Sequence, residues 1–307
     1  MAFARKLTME KMNSKYKLLA VITLSLIGPN LFANGNTYLS TSRPSLLSAE
    51  RQQNETYAQA VHQFKSKLSS FGLLSKSGTP LDFAKPVDDI DYSKVPVLTS
   101  YKELVQIFNK VRDDRSLFEQ GMPSFPRRVS WLYPQDGCFA RAAVEGSKMD
   151  QFGFTRGYKL FAFGNLSVKT HYAPGGEVNW WYHVSTILGV ENKGYYVLDP
   201  AINPNSPTPV KEWYSLMGDT HITGVVCNKY TYSPANSCYE STESADQEGF
   251  SDEKYFLQLE WNNVENLGYD PDSILGNNPP WFLPAGLYKQ SCANIALNNG
   301  TLKKKCI

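Results

Sequence analysis

Apolar side chains fall into a first regular rhythm at Tyr57, Val61, Phe64, Leu68 and Phe71, the spacing of one helical face. SKSGTP ends that helix, and FAKPVDDIDYSKVP follows as a linker with turn formers. TSYKELVQIFNKV predicts a second helix, with Ser100 and Glu103 as a capping box and Leu104, Ile107, Phe108 and Val111 as the buried stripe. A loop rich in Pro and Arg leads to a third, short helix at Cys138, for which Asp136 is the N-cap candidate. Ala140, Ala142, Ala143 and Gly146 keep its sides small, so other backbone can approach closely, and Gly153 marks its end. Beyond it the period changes. YKLFAFGN, WWYHVSTILGV and GYYVLDP predict strands, the last two joined by the hairpin signal ENKG. Helices followed by an antiparallel sheet predict an α+β fold.

Composition refines this picture at the ends of the chain. Lys11, Lys15 and Lys17 precede the apolar run LLAVITLSLIG, which is about half the length of a membrane span. Small residues at Ala33 and Gly35 follow, so residues 1–35 are expected to be a signal peptide, with a membrane anchor as the alternative. Residues 36–97 are expected to form a pro-region or small subdomain, and residues 98–307 a catalytic domain whose C-terminal extension carries disulfides. Of 31 basic and 29 acidic residues, five and one lie in residues 1–35; the remaining 26 against 28 give a net charge of about −2. That argues against a nucleic-acid binder, which usually carries a basic face. The chain is expected to be secreted and monomeric, with no stable membrane insertion.

The five cysteines are distributed unevenly. An exported chain favours disulfides. Pairing Cys227 with Cys238 and Cys292 with Cys306 uses four of them, although two other pairings of those four are open. Cys138 is then left over. It sits at a helix N-terminus, where unpaired N–H groups and the helix dipole favour a thiolate. Of four histidines, His183 is the best candidate base. His62 is expected to face solvent, His171 to lie in a surface loop, and His221 to be a weak substitute. Asp199 follows His183 by 16 positions, so an odd-length hairpin loop puts both side chains on one face. If the loop centres on Glu191, the two stand directly opposite, about 5 Å apart at Cβ. An even loop between Asn192 and Lys193 would separate them. In the odd-loop geometry Asp199 orients the imidazole as the third member of a triad does. Trp180 and Trp181, with Asn165, are the candidates for a substrate cleft; packing in the core is the alternative for the two tryptophans. No spacing matches a zinc site and no glycine-rich loop matches a phosphate cradle, so no metal or cofactor is implied.

YPQDGCFARA, FAFGNLSV, WWYHVSTILGV and YYVLDPAI, in that order, resemble the ordered blocks of bacterial protein glutaminases, also called protein-glutamine deamidases. The resemblance spans Lys102 to Tyr214. It implies a core like that of papain and transglutaminase, with a Cys-bearing helix packed on a sheet carrying His and Asp. It also implies Cys138 as nucleophile, His183 as general base, Asp199 as orienting acid, and a pro-region that blocks the cleft. The expected activity is hydrolysis of glutamine side-chain amides in proteins or peptides. A transglutaminase-like acyltransferase, a papain-like cysteine peptidase and a secreted binding protein on an inactive enzyme fold are the alternatives.

Overall fold

The structure is a computed structural model that describes residues 47–73, 75, 77–119, 122–131, 133–170, 173, 176–243 and 253–261. The expected signal peptide, His171, Cys292 and Cys306 lie outside the described residues. Among the described residues, no helix is long and apolar enough to cross a membrane.

Helix α1 spans Tyr57–Ser70 and starts from a capping box at Thr56 and Gln59, buries Ala60, Phe64 and Leu68, and leaves Phe71 half exposed just beyond its end. Strands β1 (Lys85–Pro86) and β2 (Val97–Leu98) precede α2, Tyr101–Arg112. Ser100 caps α2 by accepting the Glu103 amide, while the Glu103 carboxylate takes a hydrogen bond from Thr99 instead of closing the expected box. The predicted stripe of Leu104, Ile107, Phe108 and Val111 is buried. The Pro- and Arg-containing stretch expected to be a loop holds a separate hairpin, β3 (Arg115–Glu119) with β4 (Met122–Arg128). Helix α3 spans Cys138–Gln151 and is buried almost all round.

The main sheet is built from β5 (Tyr158–Lys169), β6 (Glu177–Val190), β7 (Gly194–Leu198), β8 (Thr208–Pro209) and β9 (Thr223–Cys227), with helix α4 (Val210–Ser215) between the last two. The order is β1-β9-β5-β6-β7-β8. Every pair on that path is antiparallel, and β2 joins β6 in parallel beside it. Residues 36–97 therefore contribute two strands to this sheet. The fold is α+β. Cys227 and Cys238 form a disulfide, and residues 253–261 form a further helix.

Helix α3 is tied to the sheet by a buried polar contact as well as by packing. Lys159 of β5 is fully buried, and its Nζ donates to the Ala142 carbonyl at 2.7 Å and to Thr186 Oγ1 of β6 at 2.7 Å. A buried ammonium is tolerated only when its donors are satisfied. Burial pushes Glu145 of α3 up to about 7, against the pull of Lys159 and Thr186. The small side at Gly146 admits a side chain rather than backbone, since a Cβ there would meet the Arg156 guanidinium at 2.8 Å.

Candidate active site

Cys138 is the first residue of α3. The residue before it, Gly137, is the N-cap in place of the expected Asp136, and its φ of +77° is a left-handed value that glycine adopts freely. Asp136 has a different task. Its Oδ1 accepts from the Gly137 amide at 2.8 Å and from the Ala49 amide at 3.0 Å. A side chain at Gly137 would also collide with Glu260 and Phe256 of the 253–261 helix. The helix start is thus gripped from two sides.

The thiol is 2% exposed. Its sulfur lies beside the Val184 amide and the Tyr182 hydroxyl, from the neighbours of His183 on either side along β6, and both temper the rise of its pKa. Burial pushes the thiol up to about 12, with Arg141, one turn further along α3, pulling the other way. In this arrangement Cys138 is a dormant thiol, not a thiolate.

His183 and Asp199 meet. His183 Nε2 lies 2.7 Å from Asp199 Oδ2, and both side chains are buried. A carboxylate only accepts, so the hydrogen bond is donated by Nε2. His183 Nδ1 is buried without a partner among the described residues. Trp213 Nε1 donates to the same Asp199 oxygen at 2.9 Å. Burial raises the Asp199 carboxyl, but His183 and Trp213 outweigh it and hold the group below the usual carboxylate range. Trp180 stacks on the imidazole, with centroids 4.3 Å apart and planes 7° from parallel.

The hairpin register differs in detail from expectation. Val190 pairs with Gly194 and Thr186 with Leu198, which centres the loop on Asn192, whose φ is +58°. The loop is odd, as needed, but Asp199 extends the ladder opposite Ser185 rather than His183. The two side chains meet diagonally beyond the last β7 pair.

The three candidates for the substrate cleft are all engaged by other parts of the chain. Trp180 Nε1 donates to the Gln135 carbonyl at 3.1 Å and Trp181 Nε1 to the Ser48 carbonyl at 2.8 Å. Trp181 also packs on Phe64 of α1. Asn165 accepts the Tyr57 amide at the start of α1 at 2.9 Å. The partners from residues 47–51 form one run laid antiparallel along β6. The Trp181 amide donates to the Ala49 carbonyl at 3.0 Å, and the Arg51 amide to the Asn179 carbonyl at 2.9 Å. This run meets two groups that act on the thiol, since the Ala49 amide donates to Asp136 and the Tyr182 hydroxyl to the Leu47 carbonyl. His221 is exposed and hydrogen-bonds Thr220, remote in sequence from these groups.

Four further groups belong to the site: Tyr182, Arg141, Trp213 and Glu260. Arg141 carries a legible signal, because it lies three residues after Cys138 and so on the same helical face. Its Nη1 donates to the Tyr133 carbonyl at 3.1 Å and stands 3.6 Å from Glu260 Oε2, which also accepts from Ser130. Glu260 comes from far along the chain, where no motif announces it.

Residues 104–217 match the family model of the glutaminases. No curated protein matches the chain. Among solved structures, the chain is similar to a crystal structure of pro-protein-glutaminase, at 18% identity over 64% of this chain and 80% of that one, with a TM-score of 0.41. It is also similar to the NMR structure of protein-glutaminase from Chryseobacterium proteolyticum, at 22% identity over 48% and 83%, with a TM-score of 0.38.

Proposed function

We propose that this chain, whose residues 104–217 belong with the glutaminases, hydrolyses the side-chain amide of glutamine within proteins or peptides, using Cys138, His183 and Asp199. The observation that carries this reading is the buried His183–Asp199 pair at 2.7 Å, with the Cys138 sulfur held between the residues flanking that histidine. The extended run along β6 supports a polypeptide substrate, since that edge already receives a backbone.

His183 Nδ1 takes the thiol proton, and the sulfur attacks the carboxamide carbon. The S–C bond forms and the carbonyl electron pair moves to oxygen, where the Cys138 backbone N–H receives it. His183 then delivers its proton to the nitrogen, the C–N bond breaks, and ammonia leaves a thioester. Water deprotonated by His183 attacks that thioester, the C–S bond breaks, and glutamate and free thiol remain. Asp199 holds the imidazole in one tautomer and stabilises its charged form throughout. Residues 47–51 act as the blocking part of a pro-region, and the chain works after export, where the Cys227–Cys238 bridge is stable.

The test is ammonia release from a casein-like protein by wild type and by Cys138→Ala, with gels run for cutting and crosslinking. Ammonia from the wild type alone, without either, is expected. Release by both would overturn the scheme. Cleavage would point to a peptidase, and crosslinking to an acyl transfer onto lysine.

A further inference from the structure

A tetrahedral oxyanion is held best by two preorganised donors, and the Cys138 N–H is one. The donors around the sulfur are few. Trp180 Nε1 is committed to Gln135, Trp213 Nε1 to Asp199, and the Val184 amide faces the sulfur itself. Tyr182 remains. Tyr182 is fully buried, precedes His183 on β6, and has its hydroxyl beside the Cys138 sulfur. The same hydroxyl donates to the backbone carbonyl of Leu47, at the start of the run laid along β6. A carbonyl oxygen therefore already sits one hydrogen bond from the hydroxyl that touches the nucleophile. A substrate amide whose carbon bonds to that sulfur can put its oxygen within the same reach.

We propose that Tyr182 is a further catalytic residue, whose hydroxyl is the second oxyanion donor and is occupied by the Leu47 carbonyl while the cleft is covered. The inference rests on the deamidase reading and adds to it a group outside the three already named. As the S–C bond forms and the electron pair moves onto oxygen, Tyr182 donates a hydrogen bond without giving up its proton. When the C–N bond breaks, the pair returns to the carbonyl and the same donor serves the second addition, by water. Burial raises the phenol well above its usual value, with Cys138 and Asp136 adding to the effect, so it stays a donor at every working pH.

The experiment uses the full chain carrying Ala49→Glu, a change that forces a carboxylate into the place of a fully buried methyl and so expels the covering run. Ammonia release from a casein-like protein is measured with and without Tyr182→Phe. The expected result is a fall in kcat of about 10²–10³, with KM unchanged, as for loss of one oxyanion donor. A purely structural role would lower folded fraction or raise KM instead. Equal kcat in the two folded proteins overturns the assignment and leaves the deamidase reading standing. If the chain with Tyr182 intact releases no ammonia, the deamidase reading falls and takes this inference with it. Should Tyr182→Phe fail to fold, fluorotyrosine at position 182 keeps the hydroxyl and makes it a stronger donor. A kcat indifferent to that acidity overturns the assignment.

Discussion

At the residue scale, the site turns on how its buried polar atoms share partners. Asp199 shows this best, since one oxygen receives both His183 Nε2 and Trp213 Nε1. Asp199→Asn keeps the shape but can donate to the imidazole, which favours the wrong tautomer. We expect kcat for ammonia release to fall by about 10³–10⁴, as in triads generally, with little change in KM; a loss under tenfold would argue against the orienting role. The carboxyl also links stability to acid. Its folded pKa is depressed below the roughly 3.9 of an unfolded aspartate, so its contribution is present above that value and lost as pH falls through the folded pKa. Asn at position 199 should shrink the loss of stability below about pH 4, read as urea midpoints. The sequence already pointed to Cys138, His183 and Asp199, because a thiol at a helix start and an even spacing across a hairpin are local signals. Tyr182 gave none. Regular alternation puts it on the opposite face from His183, and its importance comes only from meeting a helix and a distant carbonyl.

At the element scale, α3 is held at its N-terminus by Glu260 and at its middle by Lys159. Burial pushes Glu260 up to about 8, against Arg141 and Ser130, above the roughly 4.3 of an unfolded glutamate. A raised carboxyl contributes stability that is whole below the unfolded value and is lost as pH rises through about 8. Glu260→Gln keeps a partner for Ser130 without the titration. Between pH 6 and pH 9 the urea midpoint of the wild type should drop more than that of the variant, and parallel drops would contradict the raised carboxyl. The bridge from Cys227 to Cys238 closes 11 residues of sequence separation at the end of β9. Replacing both by Ser should cost roughly 2–3 kcal/mol in denaturant unfolding, given the short loop. The helices and central strands were legible because their apolar periods are long. The β3–β4 hairpin was hidden by its Pro and Arg content, and β9 by its shortness.

At the scale of the whole molecule, the covering run matters most. Residues 47–51 add to β6 through backbone bonds, which any sequence can make, while Ala49 fits where nothing larger would. Cys138 in the intact chain should react slowly with iodoacetamide at pH 8, followed by mass spectrometry on its own peptide. Ala49→Glu should speed the reaction about tenfold for each pKa unit that the exposed thiol regains. No acceleration would mean that the burial of Cys138 comes from elsewhere.

Taken by itself, the sequence determined the α+β class and the hairpin, and it singled out Cys138, His183 and Asp199 as the candidates for an acyl-transferring site. Those features depend on period, spacing and residue type, all of which are local. The tertiary structure decided which histidine nitrogen faces the carboxylate, the diagonal rather than direct meeting of His183 and Asp199, and the laying of residues 47–51 along β6. It also decided the roles of Tyr182 and Glu260. Each of these is a long-range contact, set by how helix and sheet pack, and side-chain packing between distant segments leaves no periodic trace in the chain.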